Sequence, residues 1–522
     1  MFGKENTPLV IESCIWGHRL HDAENSMTSF LEFLCVFQRL HFPTKKDATQ
    51  FTEENCILPN YTIPKRNLLR CLIFNNPFVN EEYTSNPWEE WVKRFNEDGQ
   101  NQQFIYGKIP DTIGDENSPL SPSAFEKLKK AFVSNSTSDA EGFNNFRKII
   151  ALIRSSAINI DSDKRWTSLF LFPWGEHCLF ADTDVKGAMD RLFFSRNGEI
   201  LWLLLAHANN SNKLGHLIQE KIIDASNPFE AFCRAISEIS DKSEVNITGK
   251  ARLPFHSDAD IDMTEFSRRR INILCDDLIN IFSLPIPVPD IIYHASRIMA
   301  LNMLCYFIEQ ANEIMLRHAS SDDNSSKNSP RCILLCEMLQ KSPSGIRRFS
   351  QNLFRENDTL SLSAIEVLFK AHPEHFVSEE TRKTEASPYM TAFNEIENTH
   401  STHWRRFHRA FAKECGLGTT LCTRSYRYSP SDALLESLAA VLVTEKRMLL
   451  ADFLAKAADR YGIVIGPNEY EAFYPSEKID LDRLDNKELN DNRTRLERRL
   501  SALGLFDWLS DGFVFVRNPF TA

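Results

Sequence analysis

From position 141 to about 317, apolar residues recur every three or four positions, and this spacing constrains the fold more than any motif in the chain. It is the period of an amphipathic α-helix, which gathers i, i+3, i+4 and i+7 on one face. The stretches 143–153, 198–208, 228–239 and 293–316 carry it most clearly, and 25–40 repeats it near the start, opening at Asn25 or Ser26. A cleaner helix begins at Ser121, with Pro122 in its first position. Shorter helical patterns follow at 332–340 and 361–369. The segment RWTSLFLFPWGEHCLFADTD is too aromatic and too interrupted to join them. The expected fold is mainly α and multi-domain, with a winged-helix-like domain at the C-terminus.

Breaks in the pattern divide the chain. Residues 1–132 read as a mixed helical region with loop insertions, and 133–319 as a helical core domain in which LPIPVP (284–289) joins two helices. The polar run SSDDNSSKNSP (320–330) has almost nothing to bury and reads as a linker. Residues 331–430 form a further helical region that ends in a basic and aromatic segment, and 431–522 form the terminal module. The charge runs HSDADID and EETRKTEAS read as solvated loops.

Composition narrows the class. With 42% apolar and 25% charged residues the chain is an ordinary globular one, and 38 phenylalanines supply rings for helix packing. Twelve cysteines at irregular spacings in so long a chain read as reduced thiols, several of them in the core. The N-terminal stretch has no basic run leading into a long apolar one, and no run approaches the roughly 20 residues that span a bilayer. The expected setting is the cytoplasm, with no membrane partner. A net charge of −11 argues against a protein that coats nucleic acid, since phosphate neutralisation supplies most non-specific affinity. Contact with DNA would have to run through a local patch.

Two such patches stand out. The segment HWRRFHRAFAKECGLGTTLCTRSYRY (403–428) holds Arg405, Arg406, Arg409, Lys413, Arg424 and Arg427 against one acid, Glu414. Trp404, Phe407, Phe411, Tyr426 and Tyr428 are interleaved with these cations, an arrangement suited to phosphate contact and base stacking. The competing reading puts the aromatics in the core and pairs the arginines with acidic neighbours.

The second patch lies in the terminal module. SDALLESLAAVLV gives one helix with Leu434, Leu435, Leu438, Val441 and Leu442 inward. LLADFLAKAADRYG gives another, with Phe453, Leu454, Ala457 and Ala458 inward, stopped by Gly462. A third helix, capped by Asn490 or Asp491, runs to about Leu503. Two aromatic-rich strands follow, turning at Ser510-Asp511-Gly512. Three helices and a hairpin is the order of a winged helix. Leu496, Leu500 and Leu503 form the inner stripe of the third helix, Thr494 and Arg498 lie opposite, and Arg495 is lateral. From Asp432 to Ala522, however, 12 basic residues face 16 acidic ones, a balance that also suits a protein–protein module.

Compact catalytic motifs are missing: there is no phosphate-binding G-x-x-x-x-G-K-[ST] loop, no G-x-G-x-x-G and no G-x-S-x-G. His18, His21 and Asp22 contain the His-Asp pair of some metal phosphohydrolases, without identifiable further ligands. Asp258, Asp260 and Asp262 lack the glycine and glutamate of a calcium loop. His400, His403, His408, Cys415 and Cys422 are too irregularly spaced for structural zinc, and Cys332 and Cys336, one turn apart on the expected helix, lack a second pair. No metal or other cofactor is expected.

The terminal pattern SDALLESLAAVLV … FLAKAADRYGIVIG … RLERRLSALGLFDWLSDGFVFVRNPF, with WRRFHRAFAKECGL ahead of it, resembles the C-terminal part of poorly characterised accessory proteins. These are encoded in multi-gene bacterial anti-phage or DNA-modification-linked defence loci. The likeness covers about a fifth of the chain and supplies no catalytic residue. It implies a bacterial accessory subunit working beside helicase, nuclease or methyltransferase partners. The expected function is therefore a non-catalytic, DNA-contacting or assembly subunit of a multi-protein defence complex. Its alternatives are a metal-dependent nuclease or phosphohydrolase with dispersed ligands, and a pure scaffold.

Overall fold

The computed structural model describes residues 7–18, 26–43, 56–64, 88–89, 122–134, 136–156, 197–224, 233–234, 244–249, 251–253, 265–318, 331–339, 344–377, 382, 387–399, 405–421, 423–474, 484–509 and 513–521. The protein is mainly helical with little sheet. Its first part holds α1 (Thr7–Trp16), α2 (Ser26–Leu40), β1 (Tyr61–Pro64), α3 (Pro122–Val133), α4 (Asp139–Ser156), α5 (Asn197–Ala206), α6 (Ser211–Ile218) and β2 (Glu244–Ile247). Strands β1 and β2 pair antiparallel. Then come α7 (Glu265–Phe282) and the 30-residue α8 (Val288–Arg317), joined across the proline-rich stretch. Pro289 sits in the first turn of α8, where a missing N–H costs nothing.

Helix α8 organises the molecule. It is apolar nearly all round, as a helix surrounded by protein must be. It packs against α1, α2 and α7 and against several later helices. By length and composition it would suffice to cross a bilayer, but 89% of its qualifying 18-residue apolar window is buried inside the fold. The N-terminal helix is fastened to it through polar atoms as well as rings. Trp16 Nε1 donates to the Phe307 carbonyl (3.1 Å), the Tyr306 hydroxyl donates to the Trp16 carbonyl (3.1 Å), and the Trp16 and Phe307 rings stack at 4.8 Å.

The second half contributes β3 (Leu334–Leu335), α9 (Gly345–Ala371), α10 (Pro388–Thr399), α11 (Arg405–Glu414), β4 (Gly418–Thr419) and β5 (Arg427–Tyr428). It ends with α12 (Asp432–Leu442), β6 (Arg447–Leu449), α13 (Leu450–Tyr461), β7 (Ile463–Val464), α14 (Pro467–Phe473), α15 (Asn486–Ala502), β8 (Phe506–Trp508) and β9 (Val514–Arg517). The terminal sheet is antiparallel in the order β6-β9-β8.

Two expectations are corrected here. The expected helix 332–340 is extended over its described residues 332–339: β3 pairs parallel with β7, and Leu334 N donates to the Gly462 carbonyl (2.7 Å) and Cys336 N to that of Val464 (2.8 Å). A short apolar run bounded by polar residues fits a buried strand as well as a helix, and the partner strand decided it. Helix α15 also begins a turn earlier than expected, capped by Asp485, whose side chain accepts from Lys487 N. Buried apolar residues from Ile11 to Val516 form one cluster, and a second small one joins Leu335 and Ile346 to Val464 and Leu489. The linker 320–330 lies outside the described residues.

Gly462 makes the β3–β7 junction possible. It ends α13 in the left-handed region (φ +69°), and a Cβ there would lie 1.9 Å from the Cys332 carbonyl oxygen. Gly462→Ala is expected to destabilise the protein by about 2 kcal/mol, combining left-handed strain with displacement of β3. A thermal unfolding midpoint within a degree of the parent would show that the junction can yield.

Candidate nucleic-acid interface

The basic and aromatic segment folds largely inward. Helix α11 packs on α8 and α9, burying Phe407 and Phe411, whose rings stack at 4.2 Å. Tyr428 is buried, and half-buried Tyr426 stacks on Phe354 (5.3 Å). Of the rings that suggested base stacking, Phe407, Phe411 and Tyr428 are thus core residues and Tyr426 packs beside them.

Two of the cations are structural as well. Arg427 is fully buried: its Nε donates to Glu337 Oε2 (2.5 Å), one Nη to Thr423 Oγ1 (3.0 Å) and the other to the Leu421 carbonyl (2.8 Å). It therefore cannot reach a phosphate. Arg409 lies across Asp358, donating to both carboxylate oxygens at 2.5–3.1 Å, with its guanidinium carbon 5.8 Å from the Tyr426 ring centre. Arg406, Lys413 and Arg424 remain solvent-exposed. Trp404 and the side chain of Arg405 lie outside the described residues.

The same region contains a buried hydrogen-bond chain that sequence reasoning missed. His408 Nδ1 faces Asp358 Oδ1 (3.3 Å) and Nε2 faces the Tyr428 hydroxyl (3.0 Å), which also accepts from Asn357 Nδ2 (2.9 Å). Burial pushes the His408 imidazole below its usual range, against the opposing pull of Asp358. A neutral ring with Nδ1–H donating to Asp358, and Nε2 accepting from Tyr428, satisfies every member. The chain resembles a proton relay in its connectivity, but all of it is sealed in the core, so it fixes α11 against α9 and β5. Asp358, fifty residues upstream, carries no sequence signal for this role.

Helix α15 presents the second patch more nearly as expected. Leu489, Leu496 and Leu500 face inward, and Thr494 and Arg498 are exposed on the opposite side. Arg495 is half-buried, and Leu503, expected on the inner stripe, is exposed. Thr494 Oγ1 donates back to the Asn490 carbonyl (3.0 Å). Arg493 pairs with Glu497 (3.3 Å), and Arg499 with Asp432 (2.5 Å) and the Pro430 carbonyl (2.8 Å). The outward face thus offers Lys487, Asn490, Asp491, Thr494, Arg495 and Arg498.

Its inner face holds a residue that sequence reasoning did not single out. Buried Asn492 donates to the Cys336 and Ile465 carbonyls (both 2.9 Å) and accepts from Met338 N (2.7 Å), fixing the rotation of α15 against the β3–β7 pair.

Strands β8 and β9 continue from the helix. Arg517 pairs with Asp507 (3.2 Å) and donates to the Gly504 carbonyl (2.7 Å), while Arg447 lies over the Phe515 ring at 4.7 Å. The turn at 510–512 lies outside the described residues, but Leu509 N donates to the Phe513 carbonyl (3.1 Å) across it.

Among the described residues, no group of three or more His, Cys, Asp or Glu is placed to hold a metal ion. His21, Asp22, His400, His403, Cys422 and the aspartates at 258, 260 and 262 lie outside them. The nine described cysteines are buried free thiols. Burial pushes those of Cys275 and Cys415 up to about 12, where little thiolate forms at neutral pH. No family model, no curated protein and no solved structure matches the chain.

Proposed function

We propose that this chain is a non-catalytic subunit of a bacterial DNA-targeting defence assembly, and that its C-terminal module is a winged helix contacting DNA. The observation that carries the fold reading is the element order α12-β6-α13-β7-α14-α15-β8-β9, in which β7 and α14 are an insertion before the third helix, with a sheet in the order β6-β9-β8. In a winged helix the first strand lies between helices one and two, and the last two strands form the wing beside helix three. Here α15 takes the place of helix three, its apolar stripe packed inward and Arg495 and Arg498 on or beside its outer face. The defence setting rests on the resemblance of the C-terminal sequence alone.

The acidic excess of the module favours a second reading, in which the same face binds a protein subunit. DNA binding separates the two. The full-length chain is expected to bind duplex DNA with a steep salt dependence between about 50 and 200 mM. Arg495→Glu combined with Arg498→Glu should weaken binding at least about tenfold and flatten the slope by about two counterions. A variant that binds like the parent would remove α15 as the contact. A parent that binds no DNA at the lowest salt would make the module a protein interface.

A further inference from the structure

The terminal sheet sets two arginines against each other. Arg447 of β6 stands in register opposite Arg517 of β9. Asn518 N donates to the Lys446 carbonyl (3.2 Å), which makes 447 and 517 a non-hydrogen-bonded pair. Opposed side chains come closest at such a pair, with Cα atoms about 4.5 Å apart. Met448, Phe506, Val514 and Val516 pack on the core, so strand alternation turns both arginines out to solvent on the other face. Like charges placed directly opposite destabilise an antiparallel pair. Among the described residues Asp507 is the one acid that pairs with either: its Oδ1 lies 3.2 Å from Arg517 Nε. Exposed Glu445 and Lys446, just before β6, cancel in charge, so one positive charge of the pair stays uncompensated.

We infer that Arg447 and Arg517 together clamp a backbone phosphate of bound DNA, at a site on the sheet separate from the outer face of α15. The inference rests on the DNA-contact reading above and adds a second contact to it. An anion between two guanidiniums replaces their repulsion with attraction, and their forks match phosphate oxygens. Both heads are held before a ligand arrives. Arg517 is fixed by Asp507 and by the Gly504 carbonyl, to which one Nη donates (2.7 Å), and its other Nη is left for a ligand. The Arg447 guanidinium lies over the Phe515 ring, 4.7 Å from its centre, and its whole fork is open. Such preorganisation limits the side-chain entropy lost on binding.

The position of the pair favours a polyanion over a single carboxylate. Arg517 is hydrogen-bonded to Gly504, which directly follows α15, and exposed Arg498 lies six residues before that glycine. At 1.5 Å per helical residue the two points are about 9 Å apart. Phosphates follow one another at about 3.4 Å of axis along one strand, so neighbouring phosphates can serve both. In a module whose acids outnumber its bases, these cations are the groups to which a run of phosphates is complementary.

Fluorescence anisotropy of a labelled duplex with the full-length chain, across a salt series, tests this. Arg447→Glu is expected to weaken binding at least about fivefold and to lower the salt slope by about one. Lys370→Glu makes the same charge change at an exposed side chain of α9 and should stay within about twofold of the parent. The fold itself should not suffer from Arg447→Glu, because the variant sets a carboxylate opposite Arg517. Its unfolding midpoint should rise by about one degree. If the parent binds and Arg447→Glu binds no worse than Lys370→Glu, the inference is overturned and the α15 contact stands. A midpoint that falls in Arg447→Glu also overturns it, by showing that Arg447 is kept for its packing on Phe515. A parent that binds no duplex at the lowest salt removes the underlying reading and this inference together.

Discussion

Glu337→Ala is expected to destabilise the protein by about 3–5 kcal/mol, because it strips one carboxylate from between two buried guanidiniums. Glu337 is fully buried; Oε1 accepts from Arg347 Nε (2.9 Å) and Oε2 from Arg427 Nε (2.5 Å). Its own N–H donates to the Tyr428 carbonyl (3.0 Å), so one residue joins the extended segment carrying β3 to α9 and β5. Without it, Arg427 loses its carboxylate inside the core and Arg347 loses one of its partners. Denaturant unfolding of parent and variant measures the loss. Replacing all three side chains with apolar residues of similar volume is expected to restore much of it, since desolvation offsets most of what such a buried set contributes. A single variant that loses less than about 1 kcal/mol would mean that water reaches the triad.

The second large effect is expected at Asp277, where α13 of the terminal module is tied to α7 and α8. Asp277 Oδ2 accepts from Asn302 Nδ2 (2.9 Å) and the Tyr461 hydroxyl (2.8 Å), and Oδ1 pairs with Arg460. Asn302 Oδ1 in turn accepts from Arg270 (3.1 Å), which is held bidentately by Glu309 at 2.7 and 2.8 Å. Burial pushes the Asp277 carboxyl upward, and the Arg460 guanidinium opposes that push. Asp277→Ala takes the acceptor from the Tyr461 hydroxyl and the carboxylate from Arg460, leaves Asn302 Nδ2 only the Ile298 carbonyl, and should cost about 3–5 kcal/mol. Asp277→Asn keeps an acceptor and the volume and should cost clearly less. Arg460 keeps partial access to solvent, which limits the penalty on its side. Urea midpoints of the two variants decide the matter; equal losses would mean that the charge, and not the hydrogen bonds, holds α13.

Much of the helical framework was legible beforehand because local period alone determines it. The start of α2, expected at Asn25 or Ser26 and found at Ser26, the start of α3 at Pro122, the inward leucines of α12 and the Gly462 stop of α13 all appear as the spacing and caps require. The exposed positions of Thr494 and Arg498 follow from the same periodicity. The basic and aromatic segment was legible in composition but not in direction. Arg427 and Arg424 are three residues apart in one charged stretch, yet one is sealed against Glu337 and the other faces solvent. Nothing local distinguishes them, because the acid that draws Arg427 inward lies ninety residues upstream.

The amino-acid order by itself determined where most of the long helices form, which of their faces are apolar, and that a hairpin follows the last of them. These are properties of neighbours three or four residues apart. Only the tertiary structure decided that 334–335 is a strand, that the terminal module shares one core with the central helix α8, and which cations face solvent. Each depends on a group far away in the chain: the Gly462 and Val464 carbonyls for β3, Asp358 for Arg409, Glu337 for Arg427. A buried polar group must find a partner wherever the fold brings one, and that requirement operates through space, not along the sequence.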